Sequence, residues 1–200
     1  ALQAFNEYWP SEPVAKDALY RRFDWAGCDF FMLDLRRFRS PQSMKDGPAK
    51  TMLGVAQKQW LLQGLKESTA PFSFVITSVP FHGASDDAWG VYASERDEII
   101  KFIRQHRLRG IVFLTGDYHM ARDMSSRATG LQEYMAGPIA QRPHYVKNPE
   151  SRARNEKLGK FHYGDGNTFG FVRVDPVARR ARLEWVGADG KTLAGIDIKP

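Results

Sequence analysis

Asp117 and His119 are the two side chains whose types and spacing most directly suggest chemistry. A carboxylate and an imidazole converging on one point suit a zinc, manganese or iron ion. They follow Ile111 to Leu114, a short apolar run bounded by Gly110 and Thr115-Gly116. Such a run fits a strand buried on both faces. Polar groups at the carboxyl end of a buried strand stand where open α/β sheets place their sites. Extended backbone alternates its side chains, so the spacing predicts Asp117 and His119 on one side. The bland alternative is a turn aspartate followed by a satisfied surface histidine.

Two other strand exits carry polar residues. Asp29 to Leu35 reads as a buried strand leaving through Asp34-Leu35-Arg36-Arg37-Phe38-Arg39. Arg36 or Arg39 could meet a phosphate, because a guanidinium matches it bidentately. The favoured reading pairs Asp34 with Arg36 to fix the following loop, since half-buried charges are usually paired. Phe72 to Pro80 is a third buried run, and its exit brings His82, Asp86 and Asp87 to the same rim as candidates. Each of these is more often a turn or cap residue.

The remaining elements must position these exits. Ala1 to Tyr8 suits a short helix before Pro10 and Pro13. Tyr20 to Trp25 alternates like a half-buried strand, and Ala26-Gly27 reads as the tight turn of a hairpin into Asp29–Leu35. Ser40 to Lys50 is a Pro/Gly/Ser loop able to cover a site. A helix runs from Leu53 to about Glu67, with Leu53, Ala56, Trp60, Leu61 and Leu65 as its apolar stripe. Asp87 to Tyr92 reads as a loop. Ser94-Glu-Arg-Asp97 reads as the capped start of a helix burying Ile99, Ile100, Phe102 and Ile103. Gln132 to Pro138 suggests a short strand and turn, and Arg142 to Lys160 a polar loop. Thr168–Asp175 and Arg180–Val186 alternate as strands, and Asp189-Gly190 turns the chain into a last one.

The 200 residues are ample for one domain and short for two, and no linker divides them, so 1–200 reads as a single domain. Apolar and charged fractions of 42% and 26% exclude a disordered or fibrous chain. No apolar run approaches the ~20 residues that cross a bilayer, and no signal-peptide pattern opens the chain. Cys28 stands alone, so no disulfide forms within the chain; it reads as a buried small apolar residue. The formal net charge of +6 favours anionic partners. Nucleic acid is not singled out: the basic residues are scattered, and no helix-turn-helix, zinc-finger or RNA-binding signature is present.

Taken in order, several blocks resemble the PhoD-like alkaline phosphatase and phosphodiesterase family of metallophosphatases. They are Ala4-Phe-Asn-Glu-Tyr-Trp-Pro10, Phe30-Phe-Met-Leu-Asp-Leu-Arg36, and Leu53-Gly54 with Gln57 and Trp60-Leu61. Thr77-Ser-Val-Pro80, Tyr92 with Glu95-Arg96, and Leu114-Thr-Gly-Asp-Tyr-His119 follow. Ala136-Gly-Pro138 and Thr168-Phe-Gly170 complete the series. The resemblance implies an α/β fold that is part of a four-layer α/β/β/α sandwich, with a mixed sheet and an antiparallel carboxyl-terminal end. It also implies a binuclear site for divalent or trivalent ions (Fe, Ca, Zn or Mn), a phosphate ester substrate, and an exported protein.

Within that resemblance, Gly116-Asp117-Tyr118-His119 looks like the last metal motif of metallophosphatases, Gly-His/Asp-x-His. Asp117 and His119 become metal ligands, His119 also a catalytic group facing the leaving group, and Arg36 a substrate contact. The family's earlier metal motifs are absent, so the chain resembles a carboxyl-terminal half, expected to be inactive alone. Ser78 stands where many metallophosphatases place a ligand histidine. Two functions follow: a metal-dependent phosphoric ester hydrolase, or a non-catalytic basic domain that binds a polyanion or a protein partner.

Overall fold

Alternate residues of three neighbouring strands enter two different apolar cores, and this fixes the layers of the molecule. The computed structural model describes residues 2–8, 18–85, 87–143 and 160–200. Its elements in order are α1 (Leu2–Tyr8), β1 (Arg21–Trp25), β2 (Cys28–Met32), α2 (Gly54–Glu67) and β3 (Ser73–Ile76). A 3₁₀ turn (Trp89–Tyr92), α3 (Ala93–Gln105), β4 (Ile111–Thr115), β5 (Ala121–Asp123) and β6 (Gln132–Ala136) follow. Last come β7 (His162–Tyr163), β8 (Thr168–Asp175), β9 (Arg180–Gly187) and β10 (Thr192–Ile198).

The larger sheet has the order β1-β2-β3-β4-β6-β5-β7. β2, β3, β4 and β6 run parallel, with Phe31 opposite Val75 and Val75 opposite Phe113. β1, β5 and β7 join antiparallel at its two sides. Phe31, Val75 and Phe113 pack with Leu61 and Leu65 of α2, with Trp89, and with Ile99 and Ile103 of α3. On the other face, Phe74, Val112 and Tyr134 pack with Leu183, Trp185 and Ile198 of a three-stranded antiparallel sheet, β10-β9-β8. The layers are therefore helices, mixed sheet and antiparallel sheet. Emptying one centre of this packing, as Phe31→Ala would, costs about 3–5 kcal/mol.

The three strands expected in the middle lie side by side, as the apolar runs require. Their ladders stop earlier than the runs do, at Met32 and Ile76. One further bond forms at each exit, Leu33 N–H to Ile76 O and Thr77 N–H to Leu114 O. Asp34 then turns the first chain, and Pro80 has no N–H to extend the second. The β1–β2 hairpin turns through Ala26 and Gly27 with φ of 50° and 74°, the left-handed pair a two-residue hairpin needs.

Several expectations are corrected. In α2 Ala56 is exposed and Gln57 is buried. The Gln57 amide accepts from Asp34 N–H and donates to Asp34 C=O, both at 2.8 Å, so a polar residue takes the core position. α3 is not capped by its own Ser94; Asp46 accepts from Ser94 N–H and Oγ across the Ser40–Lys50 loop. Trp89–Tyr92 is a 3₁₀ turn and not a loop. The strands β5 and β7 had no counterpart in the sequence reading. Asp86, Pro10, Pro13 and most of Arg142–Lys160 lie outside the described residues.

Candidate active site at the carboxyl ends of the parallel strands

β4 delivers Thr115 to the sheet's carboxyl edge, and Gly116 releases the chain. Asp117 and His119 then adopt φ of 79° and 52°. The alternating-strand argument therefore does not apply to them: neither residue is extended. Left-handed backbone costs a residue with a side chain roughly 1–2 kcal/mol, and such conformations gather where function holds them. Asp117 is exposed and His119 half-buried. Among the described residues, neither side chain has a hydrogen-bond partner, whereas the intervening Tyr118 is anchored. Its hydroxyl donates to Ser85 Oγ at 2.9 Å and accepts from Ser85 N–H at 3.3 Å. Gly83 permits this approach, since a Cβ there would stand 2.7 Å from the Tyr118 hydroxyl and 2.8 Å from the Ala88 Cβ.

The exit of β2 lies beside this turn. Asp34 Oδ1 accepts from the backbone N–H of Arg36 and of Arg37, at 3.0 and 3.1 Å. Asp34 thus fixes the loop as expected, but through backbone and not through the Arg36 guanidinium. Arg36 instead grips Asp87 bidentately, Nη1 to Oδ1 at 2.9 Å and Nη2 to Oδ2 at 2.6 Å. Arg39 Nη1 and Gln42 Nε2 add bonds to Oδ1 at 2.6 and 3.0 Å. Hydrogen bonds from Arg36 first, and then Arg39, hold the Asp87 carboxyl down at about 2. The Arg36 guanidinium is held above its ordinary value mainly by Asp87, with a smaller contribution from the charge of Asp117. Burial pushes the nearby Tyr92 hydroxyl up, and Tyr92 donates to Ser40 C=O at 2.8 Å.

The exit of β3 is built differently. His82 does not join the rim. Its Nδ1 lies 2.7 Å from Glu133 Oε2 and its Nε2 2.9 Å from Thr129 Oγ1. Glu133, 0% exposed on β6, also accepts from Phe81 N–H and His82 N–H at 2.7 and 2.8 Å. The imidazole is spent on holding the loop, and a buried carboxylate with three donors is its satisfied partner. Ser78, in contrast, is exposed at the edge.

Donor chemistry and ligand number give different answers for a metal. Asp117 and His119 carry the oxygen and nitrogen donors that suit divalent or trivalent ions. Among the described residues, buried Asp34 Oδ2 and Thr115 Oγ1 are without hydrogen-bond partners, after β2 and at the end of β4, the strands on either side of β3. Yet among the described residues no three His, Cys, Asp or Glu side chains are grouped to hold an ion. A stable site needs about three protein ligands or more. The two residues fit part of a site and not a whole one.

The sequence matches the model of the PhoD-like phosphatase family over residues 1–185. The chain belongs to the PhoD-like phosphatase family. It is 34% identical to alkaline phosphatase D of Bacillus subtilis (strain 168), in a match covering 60% of this chain and 25% of that protein. A solved structure of PhoD superposes on 98% of this chain and 46% of its own, with a TM-score of 0.80 and 24% identity. A purple acid phosphatase from yellow lupin (Lupinus luteus) seeds covers 94% of this chain and 34% of its own, at a TM-score of 0.60 and 11% identity. These likenesses show the mixed α/β fold of metallophosphatases. The chain spans about a quarter of the curated relative and under half of the solved PhoD chain.

Sequence reasoning gave no role to Glu133 or Glu95, which shape this edge of the sheet, and no partner to Asp87. Glu133 organises the β3 exit. Glu95, buried on α3, accepts from Thr51 Oγ1 and from the N–H groups of Met52 and Leu53, and so fixes the approach to α2. Asp87 was a candidate for the rim, but not as the partner of Arg36. Another basic grouping lies elsewhere: Arg173, Arg179, Arg180 and Arg182 line a surface hollow with Lys199. It adjoins the β8–β9 turn, whose Pro176 touches Gly27 ahead of β2, so it sits at the opposite edge of the sheet. There Arg173 pairs with Glu184 and Arg182 with Asp197. These pairs reduce the positive field that a polyanion-binding domain would use.

Proposed function

We propose that this chain is the part of a metal-dependent phosphoric ester hydrolase that supplies Asp117 and His119 to a binuclear site, with the remaining ligands outside it. The observation that carries the reading is the left-handed turn at the end of β4. It holds an aspartate and a histidine at the sheet's carboxyl edge without hydrogen-bond partners among the described residues. Family membership supports a phosphatase-type function. Bound ions would activate water and neutralise the phosphoryl oxygens. The part played by this chain is ligation by Asp117 and His119, with His119 facing the leaving group. Arg36 contacts the phosphate, and Tyr118 braces the turn between the two ligands. We further propose activity on both mono- and diesters and a location outside the cytoplasm. No helix among the described residues is long and apolar enough to cross a membrane.

The test compares this chain with a longer protein that contains it and the upstream half of a PhoD-like phosphatase. With divalent or ferric ions added, the longer protein should hydrolyse aryl phosphate mono- and diesters and purify with about two ions. The 200-residue chain should turn over neither substrate. Metal-stimulated hydrolysis by this chain alone, abolished by Asp117→Ala, would falsify the divided site. Ligands would then have to be sought at Asp34 and the β3 exit.

A further inference from the structure

Four donors of one loop converge on a single half-buried carboxylate, and each of the two segments they join is also held by other bonds. Arg36, Arg39 and Gln42 reach Asp87 from 45 to 51 residues away. The Arg36 loop is already fixed by Asp34 Oδ1 and by Ser40, whose N–H donates to Thr51 C=O and whose C=O accepts from Tyr92. The Asp87 segment is fixed by the next residues: Ala88 N–H donates to Ser85 C=O and Trp89 N–H to Pro80 C=O. The buried Trp89 indole also donates to Thr77 Oγ1 at 3.1 Å. The ion pair is one fastener among several.

We propose that Asp87 is a displaceable internal anion, holding the fork of Arg36, Arg39 and Gln42 in the geometry that receives the oxygens of a phosphate ester. The inference rests on the phosphate-ester reading of the adjoining turn and adds a regulating residue to it. A planar guanidinium presents paired N–H groups that match a carboxylate and a phosphate alike. Arg36 and Asp87 keep 51% and 33% of their side-chain surface in solvent, and ion pairs that wet are weak enough to exchange. A phosphate brings more acceptor oxygens and up to two charges against the one of Asp87. The local charges point the same way. Two guanidiniums share the one carboxylate of Asp87, so once Asp87 swings aside the fork keeps a surplus of positive charge. Asp87 then keeps the fork aligned while no substrate is present and competes with weakly bound anions.

Orthophosphate, titrated into the metal-free chain at fixed ionic strength and followed calorimetrically and by ³¹P NMR, tests this. Asp87→Asn should bind orthophosphate about tenfold more tightly than the unaltered chain, a gain of the size one charge-assisted bond brings. Adding Arg36→Ala to Asp87→Asn should abolish that gain. In the unaltered chain, the Arg36 guanidinium ¹⁵N–H signals should shift as phosphate replaces Asp87. Equal affinities with and without the Asp87 carboxylate overturn the proposal. So does an Asp87→Asn chain that no longer melts cooperatively, because the contact would then be a structural clamp. Unmoved Arg36 signals at saturating phosphate overturn it independently of any variant. Metal-dependent hydrolysis is a separate readout. Hydrolysis by the longer protein with no gain in phosphate binding removes this inference alone, while the gain without hydrolysis removes the enzymatic reading and leaves the fork.

Discussion

His82 and His119 both follow a buried parallel strand, yet the protein uses them in opposite ways. At the exit of β3 the imidazole turns inward, both nitrogens are engaged, and its partner Glu133 is sealed from solvent. At the exit of β4 the imidazole sits on left-handed backbone, half-exposed, with no hydrogen-bond partner among the described residues. The first histidine stabilises a loop. The second is held in a left-handed conformation and makes no side-chain hydrogen bond among the described residues in return. Residue type and position after a strand are thus insufficient to mark a ligand; the hydrogen-bond account of each ring nitrogen separates the two.

The largest effect that tests this contrast is at Glu133. Glu133→Ala strands the N–H groups of Phe81 and His82 and one imidazole nitrogen, each at about 1–3 kcal/mol. Urea unfolding should show a loss of about 3–5 kcal/mol. A loss under 1 kcal/mol would mean that the β3 exit is not organised around this carboxylate. His119→Ala, in the longer protein, should lower turnover about a hundredfold, or roughly 2.7 kcal/mol, and lower bound metal in parallel. Its effect on the stability of the present chain should stay within about 0.5 kcal/mol. Full metal occupancy in the variant would break the assignment of His119 as a ligand.

Acid separates the rim from the interior by a smaller amount. Asp87 titrates at about 2 in the folded chain, below an ordinary carboxylate near 3.9. A depressed folded value means that the contribution is complete above about 4 and is lost as pH falls through about 2. Because the pair is partly in solvent, it should amount to only about 1 kcal/mol. The stability difference between the unaltered chain and Asp87→Asn, measured by denaturation from pH 7 down to pH 2, should shrink within that window. A difference that has not shrunk by pH 2 would mean that Asp87 acts through something other than its charge.

Much of the fold was legible because it rests on local pattern. β2, β3 and β4 are apolar runs that only a doubly covered sheet can accommodate, and β8, β9 and β10 alternate around turn residues. β5 and β7 are three and two residues long and exist only by pairing, β5 with β6 and β7 with β5, so no periodicity announces them. Gln57, Glu95 and Glu133 break the binary pattern because each meets backbone groups 23 or more residues distant. In the site, the position of Asp117 and His119 was legible and their geometry was not. Thr115-Gly116-Asp117 has turn composition, which could have warned against continuing the strand through it. Arg36 could be read as a receptor for an anion, but its actual partner lies 51 residues away.

The smallest effect bears on what the left-handed turn costs. At φ of 52° a glycine meets none of the Cβ crowding that His119 bears. Relief of that strain is worth roughly 1–2 kcal/mol, and the extra freedom of glycine in the unfolded chain returns about 0.5–1 kcal/mol of it. His119→Gly should therefore leave the 200-residue chain as stable as before or more stable by about 0.5 kcal/mol, while removing a ligand from the longer protein. His82→Gly makes the opposite prediction. It removes the bonds to Glu133 and Thr129 and relieves no positive φ, so stability should fall by about 2 kcal/mol. Paired urea denaturation curves at neutral pH decide between them. If His119→Gly lowers stability as much as His82→Gly does, then His119 is as much a structural residue as His82, and the turn after β4 loses its claim to be a ligand-presenting strain.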